Sequence, residues 1–148
     1  MKIRRFRKGD AKEFVGLVRA LAAYESLKPP TPAAGRRLVA DIGRRIRVQL
    51  GEVDGKTVAY AIYLFTYSSF LARPTLYLED LFVLPDYRRH GIGKAFFKVL
   101  LREAKREGCG RMEWTVLDWN KPAITFYNKL RARPLKEWIL YRMKLLSY

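Results

Sequence analysis

The amino-acid sequence predicts a single α/β (α+β) domain over residues 1–148, in which helices flank a mixed central sheet of about six to seven strands. Its 148 residues suit one hydrophobic core. Hydrophobic residues make up 49% of the chain, as in packed globular proteins. Segments with a period of two alternate with segments of helical period, and this pattern gives the element order β-α-α-β-β-β-α-β-α-β.

The first predicted elements are a short strand and two helices. Asp10, with Glu13 three residues later, has the spacing of a capping box, and apolar residues at helical spacing then predict a first helix to about Tyr24 or Glu25. The proline-rich stretch "LKPPTPAAG" predicts a break, because residues before proline avoid the helical conformation. A second, strongly basic helix is predicted in "RRLVADIGRRI".

The middle of the chain predicts three strands. "RVQLGEVDGKTVAYAIYLFTY" has the pattern of a hairpin with its turn at Asp54-Gly55. "TLYLEDLFVL" predicts the next strand, which Pro85 ends.

The last third predicts two helices and two strands. "GKAFFKVLLREAKREG" is the clearest helix, closed by Gly108, and "RMEWTVLD" is the strand that follows it. Asn120 caps a short helix with Pro122 in its first turn, and "WILYRMKLL" predicts the final strand. Because a strand, a long helix and a strand in succession imply a parallel crossover, the predicted sheet is mixed.

Composition limits the function classes. No apolar stretch is long enough to cross a bilayer, the N-terminus lacks the apolar core of a signal peptide, and the single cysteine, Cys109, cannot form an internal disulfide. We therefore expect a cytoplasmic, metal-free protein that does not bind a membrane. The net charge of +16 favours polyanions, such as nucleic acid or a phosphorylated cofactor, although a solvated surface or thermal adaptation also accounts for it.

The segment "RRHGIGK" joins a predicted strand to the long helix. Backbone N–H groups at a helix N-terminus bind anions, and Gly91 and Gly93 let a phosphate approach the backbone. A tight strand-to-helix turn would also account for these glycines. The nucleoside-triphosphate loop does not match, because Ala95 follows Lys94, and the dinucleotide fingerprint fails at Phe96.

The remaining pattern, Arg88-x-x-Gly91-x-Gly93 after a strand that ends in "FVLPDY", resembles the acyl-coenzyme A pyrophosphate loop of the GNAT superfamily of N-acetyltransferases. The resemblance extends over nearly the whole chain and is closest to the spermidine/spermine (diamine) N-acetyltransferase group, in "AAYES", "LFTYSSF", "YLEDLFVLPDYRRHGIG" and "WNKPAITFYNK". It implies the GNAT fold, in which two splayed parallel strands hold the pantetheine arm of acetyl-coenzyme A (acetyl-CoA). It also implies a homodimer, with "WILYRMKLL" as a candidate for the interface.

The resemblance also implies a set of cofactor-binding residues, which are Leu81, Phe82, Val83, Arg88, Arg89, His90, Gly91, Ile92, Gly93, Lys94 and Asn120. The first three would bind the pantetheine arm through their backbone. Most of the others would surround the pyrophosphate, with His90 at the rim, and Asn120 would contact the cofactor from the other side.

Acetyl transfer to an amine needs a proton acceptor for the amine and a proton donor for the departing thiolate. The resemblance implies that Tyr127 is the general acid, although core filling would equally explain this tyrosine. Glu79 is the candidate base, acting through water with support from Asp80; alternation along the strand lets at most one of them face the amine directly. A solvated strand end or a salt bridge is the alternative explanation for Glu79. Direct attack needs no enzyme nucleophile.

Tyr24 and Glu25 match positions that bind the substrate amine in the polyamine enzymes, and an aromatic ring beside a carboxylate suits a cation. They would equally suit an ordinary helix end. The polyamine enzymes carry an aspartate just after "FTY", where this chain has Ser68 or Ser69, which weakens the case for an acceptor with several positive charges.

Two other functions therefore remain open. One is a protein N-terminal or lysine acetyltransferase with the same cofactor loop. The other is a non-catalytic nucleic-acid-binding module built on "KIRRFRK" and "RRLVADIGRRIR". The second would leave the glycine loop, Asn120 and Tyr127 unexplained.

Overall fold

The computed structural model describes residues 1–146. Its elements are β1 (Lys2–Arg5), α1 (Ala11–Tyr24), α2 (Pro32–Ala40), β2 (Arg47–Val53), β3 (Lys56–Ser68), β4 (Arg73–Val83), α3 (Ile92–Arg106), β5 (Arg111–Glu113) and α4 (Lys121–Lys129). The chain divides into two compact units, Met1–Trp114 and Thr115–Tyr148. The first unit holds the strands with α1 to α3, and the second holds α4.

The first unit is built on a five-stranded sheet with the order β1-β2-β3-β4-β5. Neighbours from β1 to β4 are antiparallel, whereas β4 and β5 are parallel, with α3 in the connection between them. The β2–β3 turn has Asp54 at φ 50° and Gly55 at φ 75°, the left-handed pair that a two-residue hairpin turn requires. The mixed sheet, the hairpin and the parallel crossover confirm the predicted fold class.

The core packs α1 against the sheet. Phe14 and Leu17 of α1 are buried with apolar side chains of β2, β3 and β4. The rings of Phe14 and Tyr60 meet edge to face, with 5.5 Å between centroids. On α3, the apolar side chains Phe96 and Leu100 are fully buried. This packing fixes the end of α1 beside β3 and β4.

The predicted number of strands was too high. "WILYRMKLL" forms no strand, because residues 132–146 contain neither helix nor strand. The strand predicted in "RMEWTVLD" is reduced to β5, which comprises Arg111–Glu113. Both segments have strand-like composition, but a strand exists only where another strand pairs with its backbone, and the local pattern does not encode that partner.

The start of α2 and the capping of α1 differ from the prediction, although α1 begins directly after Asp10 as predicted. The proline-rich stretch was predicted to separate the two helices, but its second half forms the first turn of α2. The Oγ1 of Thr31 accepts the N–H of Ala34 at 3.1 Å, and Pro32 is the first helical residue. The capping box at α1 is absent. The Asp10 carboxylate accepts the N–H of Arg7 instead, and Glu13 accepts a hydrogen bond from Thr57.

In the second unit, Asn120 caps α4 as predicted, because its Oδ1 accepts the N–H of Ala123 at 3.4 Å. The segment 138–146, here called the C-terminal arm, contains neither helix nor strand and is highly exposed. None of the helices that the structure describes is both long and apolar enough to span a bilayer.

Candidate active site

The predicted phosphate loop lies between β4 and α3. Arg89 and Gly91 both have left-handed backbones, at φ 65° and φ 82°, and α3 begins directly afterwards at Ile92. Alternation of left-handed residues with ordinary ones turns successive N–H groups toward one side, an arrangement that favours anion binding. Because Arg89 is not a glycine, its conformation carries a strain that an ordinary turn would avoid.

The space over this loop is open. A Cβ placed on Gly91 would meet no heavy atom within 4 Å. The first intrahelical bond of α3 runs from the N–H of Ala95 to the carbonyl of Gly91, so the preceding N–H groups, at Ile92, Gly93 and Lys94, have no acceptor within the helix. The exposed Lys94 adds positive charge. The loop therefore fits a phosphate group.

The edge of β4 beside this loop has backbone groups that no strand of the described chain pairs. β5 pairs with β4 only over Thr75–Tyr77. The N–H of Leu84 bonds to the carbonyl of Val58 on β3, and strand alternation therefore directs the backbone of Leu81 and Val83 to the opposite edge. An extended amide chain such as pantetheine can hydrogen-bond there as an added strand would.

Arg88, predicted to bind the cofactor, contacts the ends of β4 and α1 in this structure. Its Nε donates to the carbonyl of Val83 at 2.8 Å, and its guanidinium stacks on the rings of Tyr24 and Phe82, 4.6 Å and 5.4 Å from their centroids. The side chain therefore joins the end of α1 to the end of β4. Tyr24, predicted to bind the acceptor cation, has one face of its ring beside this arginine.

A β-bulge separates Glu79 from Asp80. The β3–β4 register shifts between Ile62, which pairs with Asp80, and Tyr63, which pairs with Leu78, so Glu79 is the extra residue. The bulge leaves Glu79 exposed and Asp80 partly buried. Asp80 Oδ2 accepts the hydroxyl of the fully buried Tyr60 at 3.0 Å.

The carboxylates near this bulge are not neutralised by arginine or lysine. None of the ion pairs within residues 1–146 includes Glu25, Glu79 or Asp80. Burial raises the pKa of Asp80 to about 6, against the hydrogen bond from Tyr60, and Glu79 and Glu25 raise it further. Burial likewise raises the pKa of Glu25. Negative charge is thus concentrated at one place in a chain of net charge +16.

Ser68 has a structural role in the turn after β3. It is buried, and its Oγ accepts the N–H of Leu71 at 3.2 Å. Ser69, the alternative position, is exposed. This chain thus has no carboxylate where the polyamine enzymes are expected to carry one.

The other predicted catalytic residue lies in the second unit. Tyr127 is on α4, partly buried, with its ring 5.5 Å from that of Phe126. Its function as a general acid stays a prediction, as does the cofactor contact of Asn120.

Cys109 is the single cysteine of the chain. Cys109 lies just beyond α3, and burial raises the pKa of its thiol, which lowers the thiolate fraction. Within residues 1–146 no group of His, Cys, Asp and Glu side chains is arranged to hold a metal ion.

Sequence reasoning missed Tyr60 and the bulge. Tyr60 lies in the apolar run of β3, where its ring is indistinguishable from core filling. Only the pairing register brings its hydroxyl to Asp80.

Comparison with known proteins identifies the family. A sequence profile described as "Acetyltransferase (GNAT) family" matches residues 12–131. The thialysine N-epsilon-acetyltransferase of Sus scrofa is 35% identical over 156 residues, covering 96% of this chain and 91% of that protein. The spermidine/spermine N(1)-acetyltransferase-like protein 1 of Homo sapiens is 30% identical, covering 95% of this chain and 22% of that protein.

The fold is also that of a solved structure described as a probable acetyltransferase. The two superpose with a TM-score of 0.86 over 100% of both chains, at 15% sequence identity. At this identity the likeness concerns the fold alone.

Proposed function

The chain belongs to the GNAT family and is an acetyl-CoA-dependent N-acetyltransferase, and from this we propose that it acetylates a primary amine of a small lysine-like, diamine or polyamine acceptor by direct attack. The observation that carries this proposal is the group of carboxylates without cationic partners at Glu25, Glu79 and Asp80. In a strongly basic protein, such a group attracts a small ammonium ion locally, although the net charge of the protein is positive.

A lysine-like amino acid is the first choice of acceptor. Ser68 stands where a polyamine enzyme is expected to have an aspartate, so a second or third positive charge on the acceptor would find no partner there. An acceptor that also carries a carboxylate is better suited to the surrounding positive field. The similarity to a thialysine N-epsilon-acetyltransferase supports the same choice.

Each part of the site has a proposed function. The backbone of Leu81 to Val83 binds the pantetheine arm, the loop from Arg89 to Lys94 binds the pyrophosphate, and Asn120 contacts the cofactor. Bound acetyl-CoA supplies the thioester. Tyr127 protonates the leaving sulfur, and a carboxylate at the bulge, Glu79 or Asp80, accepts the proton of the amine.

The protein acts as a homodimer in this proposal. Four residues of alternating position in the C-terminal arm, Ile139, Tyr141, Met143 and Leu145, are between 74% and 86% exposed in the single chain. If the arm paired with a strand of another chain, these four side chains would share one face, and an exposed apolar surface of this kind marks an interaction site. A second copy of the chain is the proposed partner.

The test of the reaction is a thiol-release assay with acetyl-CoA and a panel of amines. The panel contains thialysine, lysine, ornithine, short diamines, spermidine, spermine and a lysine-bearing peptide. We expect the highest kcat/KM with a lysine-like amino acid, and lower values as the number of amino groups increases. Rapid turnover of the peptide, with every small amine inert, would refute the proposed acceptor class and leave the fold and cofactor assignments unchanged.

A further inference from the structure

We infer that Asp80, rather than Glu79, accepts the proton of the acceptor amine, and that Tyr60 is the positioning residue that holds this carboxylate. The inference rests on the proposed function, because it concerns the same site and reaction. It assigns the general base to Asp80 instead of Glu79, and it gives the buried Tyr60 a function in the reaction.

The bulge is the first reason. The extra residue at Glu79 interrupts the alternation of β4, so Glu79 is exposed, while the partly buried Asp80 pairs with Ile62, whose side chain lies on the α1 side of the sheet. A base has to keep one fixed position relative to the reacting nitrogen, and no ion pair or side-chain hydrogen bond within residues 1–146 holds the exposed Glu79.

The hydrogen bond from Tyr60 is the second reason. Tyr60 is fully buried, its ring is held by Phe14, and its hydroxyl donates to Oδ2 of Asp80 at 3.0 Å. One carboxylate oxygen is therefore bound to the protein. The other oxygen, Oδ1, has no hydrogen bond within the described chain and is free to accept a proton.

The ionised groups that act on Asp80 are acidic, and the Arg88 guanidinium, stacked on Phe82 two residues further along β4, forms no ion pair with it. Tyr60 contacts it from β3, Glu25 acts on it from the end of α1, and Glu79 acts on it from β4 itself. No ion pair of the described chain includes it. This environment favours the protonated form, and the resulting pKa of about 6 lies close to the range in which a base works at neutral pH.

The proton balance follows from the overall reaction. The nitrogen–carbon bond forms as the carbon–sulfur bond breaks, and the acceptor changes from an ammonium ion to a neutral amide, losing two protons. One proton ends on the sulfur of coenzyme A and the other on Asp80, from which it passes to water. Transfer from a free ammonium would be uphill by about four pK units, so Asp80 is effective mainly during the attack, when the nitrogen becomes more acidic.

The first test compares two amide variants. We expect Asp80→Asn to lower kcat/KM about 100-fold or more at pH 8, and Glu79→Gln to lower it less than about tenfold. The amide of Asp80→Asn still accepts the hydroxyl of Tyr60, so the variant is expected to fold. Comparable losses in the two variants, or a larger loss in Glu79→Gln, would overturn the assignment.

The second test uses Tyr60→Phe and follows the pH dependence. The hydrogen bond from Tyr60 lowers the pKa of Asp80, so its removal should move the acidic limb of kcat/KM to higher pH, by about one unit. The matched control is Tyr63→Phe, because Tyr63 is a buried tyrosine of the same strand whose hydroxyl accepts from Gln49 instead. We expect this control to leave the acidic limb unchanged.

A measurement independent of turnover completes the design. The Asp80 carboxyl carbon, labelled with ¹³C and assigned by its loss in Asp80→Asn, should titrate near pH 6 in the wild-type chain without substrates, and higher in Tyr60→Phe. If the carboxyl titration moves and the acidic limb does not, Asp80 is not the base. If the wild-type chain binds acetyl-CoA and acetylates no amine, the proposed function fails first, and the inference with it.

Discussion

Asp80 has opposite effects on folding and on the proposed chemistry. Its pKa is raised from the ordinary value of 3.8 to about 6, so the folded chain binds this proton more tightly than the unfolded chain does. Ionisation of Asp80 therefore destabilises the fold. The penalty is fully present above about pH 6, decreases as the pH falls, and is absent below about pH 4.

We therefore expect Asp80→Asn to be more stable than the wild-type chain at pH 8. A difference of about two pK units corresponds to about 3 kcal/mol in the free energy of unfolding. Urea unfolding at pH 8 and at pH 4 measures it, and the gain should disappear at the lower pH. Equal stabilities at pH 8 would show that the buried carboxylate costs little.

Tyr127 provides a second prediction for a single residue. Tyr127→Phe removes only the hydroxyl, so we expect kcat to fall about 100-fold while the Kd for acetyl-CoA stays within about twofold. Calorimetry and the thiol-release assay measure the two quantities. Tyr63→Phe is the control, because it removes a buried hydroxyl that bonds to Gln49 and has no part in the proposed site. A parallel loss of affinity and turnover would instead assign Tyr127 to packing.

At the scale of elements, the turn before α3 positions the cofactor loop. Gly91 has a left-handed backbone and open space above it, so its identity has a conformational reason and a functional reason. The two reasons can be separated, because Gly108, at the other end of α3, has a similar φ of 71° and equally open surroundings.

We expect Gly91→Glu to abolish binding of acetyl-CoA, because it places an anion where the pyrophosphate is proposed to lie. Gly108→Glu imposes a similar conformational strain and the same charge, and it should keep the wild-type affinity. Isothermal titration of both variants, with thermal unfolding to check that they fold, measures the effect. Retention of normal affinity in Gly91→Glu would remove the phosphate-loop assignment.

The elements also show what the sequence can and cannot predict. The hairpin at Asp54-Gly55 and the helix ended by Gly108 were predicted correctly, because short-range chemistry specifies them. The predicted start of α2 was wrong, because Pro32 is as compatible with the first turn of a helix as with a break in the chain. The bulge at Glu79 depends on pairing with β3, which lies beyond any local window.

For the candidate site as well, local features could be predicted from the sequence and long-range contacts could not. The glycines of the loop were predicted because one short segment contains the whole motif. The contact between Tyr60 and Asp80 joins residues 20 positions apart, and the stacking of Arg88 on Tyr24 joins more distant ones. Such contacts follow from the assembled fold alone.

At the scale of the whole molecule, surface charge and exposed apolar side chains are the main features outside the site. Six of the 14 Asp and Glu side chains form ion pairs with arginine within residues 1–146, as in the contacts of Arg4 with Asp10 and Glu52. The C-terminal arm contributes an apolar surface that a single chain leaves in water. The arm is therefore the part of the chain where assembly is best tested.

We expect the wild-type chain to elute at twice its own mass in size-exclusion chromatography with light scattering, and Met143→Glu to dissociate toward the monomer. Met143 is 85% exposed in the single chain and lies on the apolar side of the alternating pattern. Lys144→Glu, the next residue, places the same charge on the other side and should leave the dimer intact. A monomeric wild-type chain at micromolar concentration would contradict the proposal.

Arg88 has a consequence for how the two substrates of this enzyme affect each other. Its side chain binds the end of the strand proposed for the pantetheine arm and, at the same time, stacks on the tyrosine proposed for the acceptor. If both substrates bind as proposed, a shift of this one side chain changes both affinities. Thermodynamic linkage is reciprocal, so acetyl-CoA must then alter the affinity for the amine by the same factor as the amine alters the affinity for acetyl-CoA. Selection for a new acceptor at the end of α1 would therefore be constrained by the donor.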